Sequence, residues 1–107
     1  MNWLDLCNLD DLVPNSGVCA LVGDQQVALF YLPESDKVFA VSQWDPFGHA
    51  NVMSRGLVGS SGEDVYVASP LYKQRFRLED GQCLDDESVK LAAWPTNIIN
   101  GRVLIAA

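Results

Sequence analysis

The sequence predicts an all-β domain, an antiparallel sandwich or small barrel. Apolar residues fall in short runs of strand length, and turn residues punctuate those runs about every 6–12 positions. Nowhere do apolar residues keep the 3.6-residue period of a long helix. With 107 residues, 49% of them hydrophobic and 20% charged, the chain has the composition of a globular protein. That length fits a single domain over residues 1–107, and it is enough to bury a core without metal or disulfide staples.

The elements follow in chain order. Trp3-Leu4-Asp5-Leu6-Cys7 alternates with period two, as a strand does. Asn8 can cap a single helical turn in which Asp10 and Asp11 suit the positive end. Pro14 to Gly17 is a turn, because proline presets one dihedral and glycine accepts positive φ. Val18–Val22 and Gln26–Tyr31 read as hairpin partners across Gly23-Asp24. After the Pro33–Asp36 turn, Lys37–Ser42 is a strand apolar on both faces, hence one covered on both sides.

From Gln43 to Arg55 the periodicity stops, and a loop of that length in a small domain usually has a job. Gly56–Gly59 is briefly extended, Ser60–Glu63 turns, and Asp64–Ala68 is a strand that delivers a second loop at Ser69–Tyr72. Arg75–Leu78 alternates strictly and turns back at Glu79–Gln82. Asp85-Asp86-Glu87 reads as a solvated acidic loop. Val89–Trp94 is a strand stopped by Pro95, and Asn97–Ile99 pairs with Arg102–Ile105 through Asn100-Gly101, a strong hairpin signal.

The two loops carry the most specific pattern in the chain. Trp44-Asp45-Pro46-Phe47-Gly48-His49 is followed, some twenty residues later, by Ser69-Pro70-Leu71-Tyr72-Lys73-Gln74-Arg75-Phe76 and then Gly81-Gln82-Cys83-Leu84. This pairing resembles the two cluster-binding loops of a Rieske iron–sulfur domain. The retained scaffold is Pro46, Pro70, Phe76, Gly81 and Cys83. The positions of the two cysteine ligands hold Asp45 and Ser69, and those of the two histidines hold Phe47 and Tyr72. A Rieske centre needs two thiolates on one iron and two imidazoles on the other. None of the four residues supplies such a donor.

The combination of kept prolines and lost ligands resembles the small-subunit family of bacterial assimilatory NAD(P)H nitrite reductases. The resemblance covers Val18 to Ala106. It implies the Rieske-like fold, with a loop-bearing subdomain on a larger antiparallel base. It also implies a large-subunit partner that carries FAD, an iron–sulfur cluster and sirohaem and reduces nitrite to ammonium in nitrate assimilation. This chain would then be a non-redox subunit, structural or regulatory, with no cofactor and no catalytic centre of its own. The alternatives are a Rieske-like binding module of another enzyme and a Rieske ferredoxin-type electron carrier. The missing ligands disfavour the carrier.

Charge narrows the partners. The formal net charge is −7, which repels a nucleic-acid backbone and steers toward a basic partner. The segment that opens the sequence has neither a basic region nor a long apolar run, so no leader or membrane anchor is expected in it. Cys7, Cys19 and Cys83 are odd in number and widely spaced, which predicts reduced, structural thiols in a cytoplasm. Cys83 is expected to pack in the core.

His49 is the only histidine, so it completes no metal site. It reads as a solvent-facing or hydrogen-bonded loop residue, and an acid/base pair with Asp45 is the sharper alternative. No glycine-rich phosphate loop is present. Trp44, Pro46, Phe47, Pro70, Leu71 and Tyr72 remain at the loop tips, flanked by Lys73, Arg75 and Arg55. These residues suit a docking face. Phe47 and Tyr72 are also candidates to fill the space that a cluster would take.

Overall fold

The computed structural model describes residues 2–107. Its twelve strands are β1 (Trp3–Asn8), β2 (Gly17–Val22), β3 (Gln25–Leu32), β4 (Lys37–Ser42), β5 (Trp44–Asp45), β6 (Ala50–Asn51), β7 (Leu57–Ser61), β8 (Asp64–Ala68), β9 (Arg75–Arg77), β10 (Ala93–Trp94), β11 (Thr96–Ile99) and β12 (Arg102–Ala106). The two helical pieces are 3-10 turns at Leu9–Asp11 and Met53–Arg55. At the first, the Asp11 carboxylate accepts the Asn8 N–H at 3.0 Å.

Every strand pair is antiparallel. A central sheet runs β10-β4-β3-β2, a second sheet runs β1-β12-β11, a third runs β7-β8-β9, and β5-β6 is a small hairpin. The central sheet is covered on both faces. Successive side chains of a strand point to opposite sides, so one buried strand can feed two cores. Val27 and Leu29 of β3 join Val38, Ala40, Val103 and Ile105 on the side of the β1-β12-β11 sheet. Ala28 and Phe30 join Val41, Met53, Val67, Phe76 and Leu78 on the side of the loop-bearing sheet. This double burial is why Lys37–Ser42 carries apolar residues on both faces.

Two segments depart from the sequence expectation. Ser60 and Ser61 extend β7 and pair with Val65 and Asp64, which leaves a tighter turn at Gly62, where φ is +61°. Val89–Trp94 is not one strand. Leu91 N–H donates to the Gly81 carbonyl at 2.8 Å and Lys90 bridges Gln82, while Ala93 and Trp94 alone join β4. The segment crosses between two sheets, so neither can hold all of it. The acidic run stays at the surface as expected, but it is anchored there, with Asp85 bonded to Arg75 and Asp86 to Ser88.

Cys83 is buried in the loop-side core, as expected, and Cys7 is half-buried. Burial is the main cause that pushes the Cys7 thiol up, away from the reactive thiolate. Cys19 differs: it lies exposed on β2, the free edge of the central sheet.

Candidate functional site

The first loop hangs from Gln43, a buried residue that sequence reading passed over. Its carbonyl accepts the N–H groups of Val52 and Met53, both at 3.0 Å. Its side-chain amide donates to Ser54 Oγ at 2.8 Å, and its Oε1 accepts the Ser54 N–H at 2.7 Å. One side chain thereby closes residues 43–54 into a ring. Inside it, Trp44 and Asp45 pair with Asn51 and Ala50. His49 N–H donates to the Asp45 carbonyl at 2.8 Å, and His49 takes a φ of +55° to make that turn.

The second loop leaves β8 at Ser69. Ser69 N–H donates to the Gln74 carbonyl at 2.9 Å, and Lys73 N–H donates to the Ser69 carbonyl at 3.1 Å. Lys73 has a φ of +64°.

The two loops meet at Asp45 and Ser69, which occupy the two expected cysteine positions. Asp45 is 0% and Ser69 1% exposed. The Ser69 hydroxyl donates to Asp45 Oδ2. Asp45 Oδ1 accepts the Phe47 N–H at 2.9 Å, and Ser69 Oγ accepts the Leu71 N–H at 3.2 Å. Each side chain therefore ties down its own loop and also joins the other. A carboxylate buried this deeply needs such partners, because an unpaired buried charge is costly. Gly48 lets the loops close: a Cβ there would lie 2.4 Å from Leu71 Cδ1 and 2.9 Å from Asp45 Oδ2.

Phe47 and Tyr72 part company. Phe47 turns inward onto the core, with its ring centroid 6.2 Å from that of Phe76. Tyr72 is 66% exposed, so it fills no internal space and that expectation is withdrawn for it. The Asp45–His49 acid/base pair does not form, since the carboxylate is spent on Phe47 and Ser69. His49 lies exposed with its ring edge-on to Trp44, 6.1 Å between centroids.

Trp44, Pro70, Leu71 and Lys73 are exposed, and Pro46 is half-buried. Leu57, 78% exposed, pairs with Ala68 at the base of the second loop. Arg75 is less available than a free rim cation. Its guanidinium meets Asp85 at 2.8 Å and lies 5.6 Å from the Tyr66 ring centroid. The Arg75 bond holds the Asp85 carboxyl below the usual carboxylate range.

This donor set does not fit a [2Fe–2S] cluster. Phe47 has no lone pair and faces the core, Tyr72 points to solvent, and Asp45 and Ser69, at the positions expected for thiolates, are bonded directly to one another. Among the described residues, no three His, Cys, Asp or Glu side chains gather as a metal site.

The fold and the paired loops define a Rieske-like domain. The profile of the Rieske-like [2Fe-2S] domain family matches residues 2–106. A ferredoxin of carbazole 1,9a-dioxygenase from Nocardioides aromaticivorans shares the fold at a TM-score of 0.84 with 19% identity, over 99% of this chain and 98% of its own. More specifically, the nitrite reductase (NADH) small subunit of Escherichia coli K12 is 48% identical over 101 residues, 94% of both chains. The solution structure of the nitrite reductase [NAD(P)H] small subunit from Erwinia carotovora superposes with a TM-score of 0.81 at 48% identity, over 98% of this chain and 81% of its own. The chain belongs to this family of nitrite reductase small subunits within the Rieske-like domains. A nitrite reductase [NAD(P)H] large subunit from Klebsiella oxytoca is also 42% identical over 103 residues, 96% of this chain but 11% of that longer one.

Proposed function

We propose that this chain is the non-redox small subunit of a cytoplasmic NAD(P)H nitrite reductase, seated by its loop tips on the large subunit. In this reading the large subunit carries FAD, an iron–sulfur cluster and sirohaem and reduces nitrite to ammonium. This chain takes no electron and has no catalytic centre; its contribution is structural or regulatory. The observation that carries the reading is the buried Asp45–Ser69 bond, which uses the two thiolate positions to lock the loops together. Loops so fixed present Trp44, Leu71 and Tyr72 as a preorganised apolar surface, and preorganisation lowers the ordering cost of binding.

The Klebsiella relative supports the partner. There the same kind of domain is part of the large-subunit chain itself, which suits a working place on that subunit and one copy per copy. The three thiols, unpaired with one another, suit a reducing compartment.

The test is to co-express this chain with the large subunit of the same organism. Native mass of the purified complex should give equal numbers of the two chains. Leu71→Asp should weaken binding at least about 30-fold, as a hot-spot truncation of about 2 kcal/mol does, and should lower NADH-dependent nitrite reduction at limiting small subunit. Lys37→Glu, at the end of β4 away from the loops, should change neither. A Leu71→Asp chain with unaltered melting that binds as tightly as the parent would move the docking face elsewhere.

A further inference from the structure

We infer that the surface receiving the loop tips is an apolar patch ringed by carboxylates, although the net charge of −7 points to a basic partner. The inference rests on the docking reading above and adds the chemistry of the partner.

Its basis is where the charges stand. Residues 43–62 and 65–78 contain one carboxylate, Asp45, and that one is buried and bonded to Ser69 and Phe47. The formal charges left exposed there without a carboxylate partner are Arg55 and Lys73. Arg55 belongs beside the loops: the next residue, Gly56, approaches so closely that a Cβ on it would lie 2.3 Å from the Ala68 carbonyl oxygen. Arg75 is neutralised by Asp85, and Arg77 lies at the other end of β9 with Asp80 and Asp64.

Strand direction puts many of the acids at the far end. β4 and β8 run toward the loops and start beside Glu34 and Asp36, and Glu63 and Asp64. β9 runs away from them and ends before Glu79 and Asp80. Asp24 on the β2–β3 turn, and Asp86 and Glu87 beyond the Arg75–Asp85 pair, border the loop end without belonging to either loop.

A chain so polarised is acidic as a whole and carries unpaired cations at the loop end. Salt at physiological strength screens charge beyond about 8 Å, so the groups in contact decide which surfaces tolerate each other. A basic patch would bring its cations onto Arg55 and Lys73, with no free carboxylate in either loop to meet them. A patch of carboxylates around an apolar centre pairs with both cations while Trp44, Leu57, Leu71 and Tyr72 bury against it.

The experiment follows association with the purified large subunit by surface plasmon resonance, in about 30 mM and about 500 mM NaCl. Lys73→Glu and Arg55→Glu are compared with Lys37→Glu, which makes the same charge change at the far end. The expected result is association slowed about tenfold by each loop-end reversal in low salt, with the gap closing in high salt. Lys37→Glu should stay within about twofold of the parent. Melting temperatures control for folding, and Lys73→Gln and Arg55→Gln serve if a reversal unfolds the chain. Faster association of the loop-end reversals would assign a basic patch and overturn the inference, as would rates equal to that of Lys37→Glu. Leu71→Asp separates the two readings. If it weakens binding while the reversals do not, only the charge inference fails; if it binds like the parent, the docking face itself is wrong.

Discussion

Ser69 Oγ makes two bonds at once, donating to the Asp45 carboxylate and accepting the Leu71 N–H. Removing it leaves a buried carboxyl oxygen without its hydroxyl partner. Ser69→Ala should therefore cost about 1–3 kcal/mol, the penalty of an orphaned buried polar group. It should appear as a lower urea midpoint at unchanged slope. Tyr72→Ala should stay within about 0.5 kcal/mol, as expected for a surface side chain. A large loss from Tyr72→Ala, or none from Ser69→Ala, would contradict the site described above. That Asp45 and Phe47 lie on one loop and Ser69 and Tyr72 on its neighbour was legible through the family resemblance that the prolines carry. Their directions were not. Phe47 and Tyr72 are both aromatic, and only the fold sends one onto Phe76 and the other to solvent. Gln43 gave no signal at all, since a glutamine after an apolar strand looks like any loop polar residue.

At the scale of elements, the hairpin after β9 depends on one ion pair and one glycine. Arg77 Nη2 meets Asp80 at 2.7 Å, and Asp80 Oδ1 also accepts the Gln82 N–H at 3.0 Å. The Arg77 bond draws the Asp80 carboxyl down to about 2. A carboxyl lowered in the folded state stabilises fully above its unfolded value, near 3.8, and that contribution fades as the pH falls toward 2. Asp80→Asn should accordingly melt below the parent at pH 7. The gap should narrow below about pH 4 and close near pH 2, as followed by circular dichroism. A gap unchanged from pH 7 to pH 2 would exclude the ionised Asp80 as its source. Gly81 supplies the other requirement, with a φ of +81° and space for no Cβ, since one would sit 2.2 Å from the Leu91 carbonyl oxygen. These elements also show what the sequence can carry. Lys37–Ser42 and Asp64–Ala68 keep the bounds read from their apolar runs, because each is held by neighbours along its full length. The β5–β6 hairpin has two residues per strand, too short for any period to register. Val89–Trp94 has the composition of a strand, but its residues are shared between two sheets.

Over the whole molecule, three sheets stack about β3 and β4 and enclose two apolar cores. The all-β class was legible because turn chemistry is local, and the Rieske-like arrangement was legible through the resemblance of the two loops. The layering of one sheet between two others was not, because it depends on which face each strand turns to which neighbour. The same stack sets Asp45 and Ser69 against each other and turns the loop tips outward. In the function proposed above, these loops hold a structural hydrogen bond at the two positions that resemble thiolate ligands. The most direct measurement is iron and acid-labile sulfide in the full chain, purified anaerobically and then exposed to iron, sulfide and thiol under cluster-loading conditions. The account predicts trace amounts of both and no absorbance bands in the visible. About two iron and two sulfide per chain, with visible bands that bleach on reduction, would contradict it.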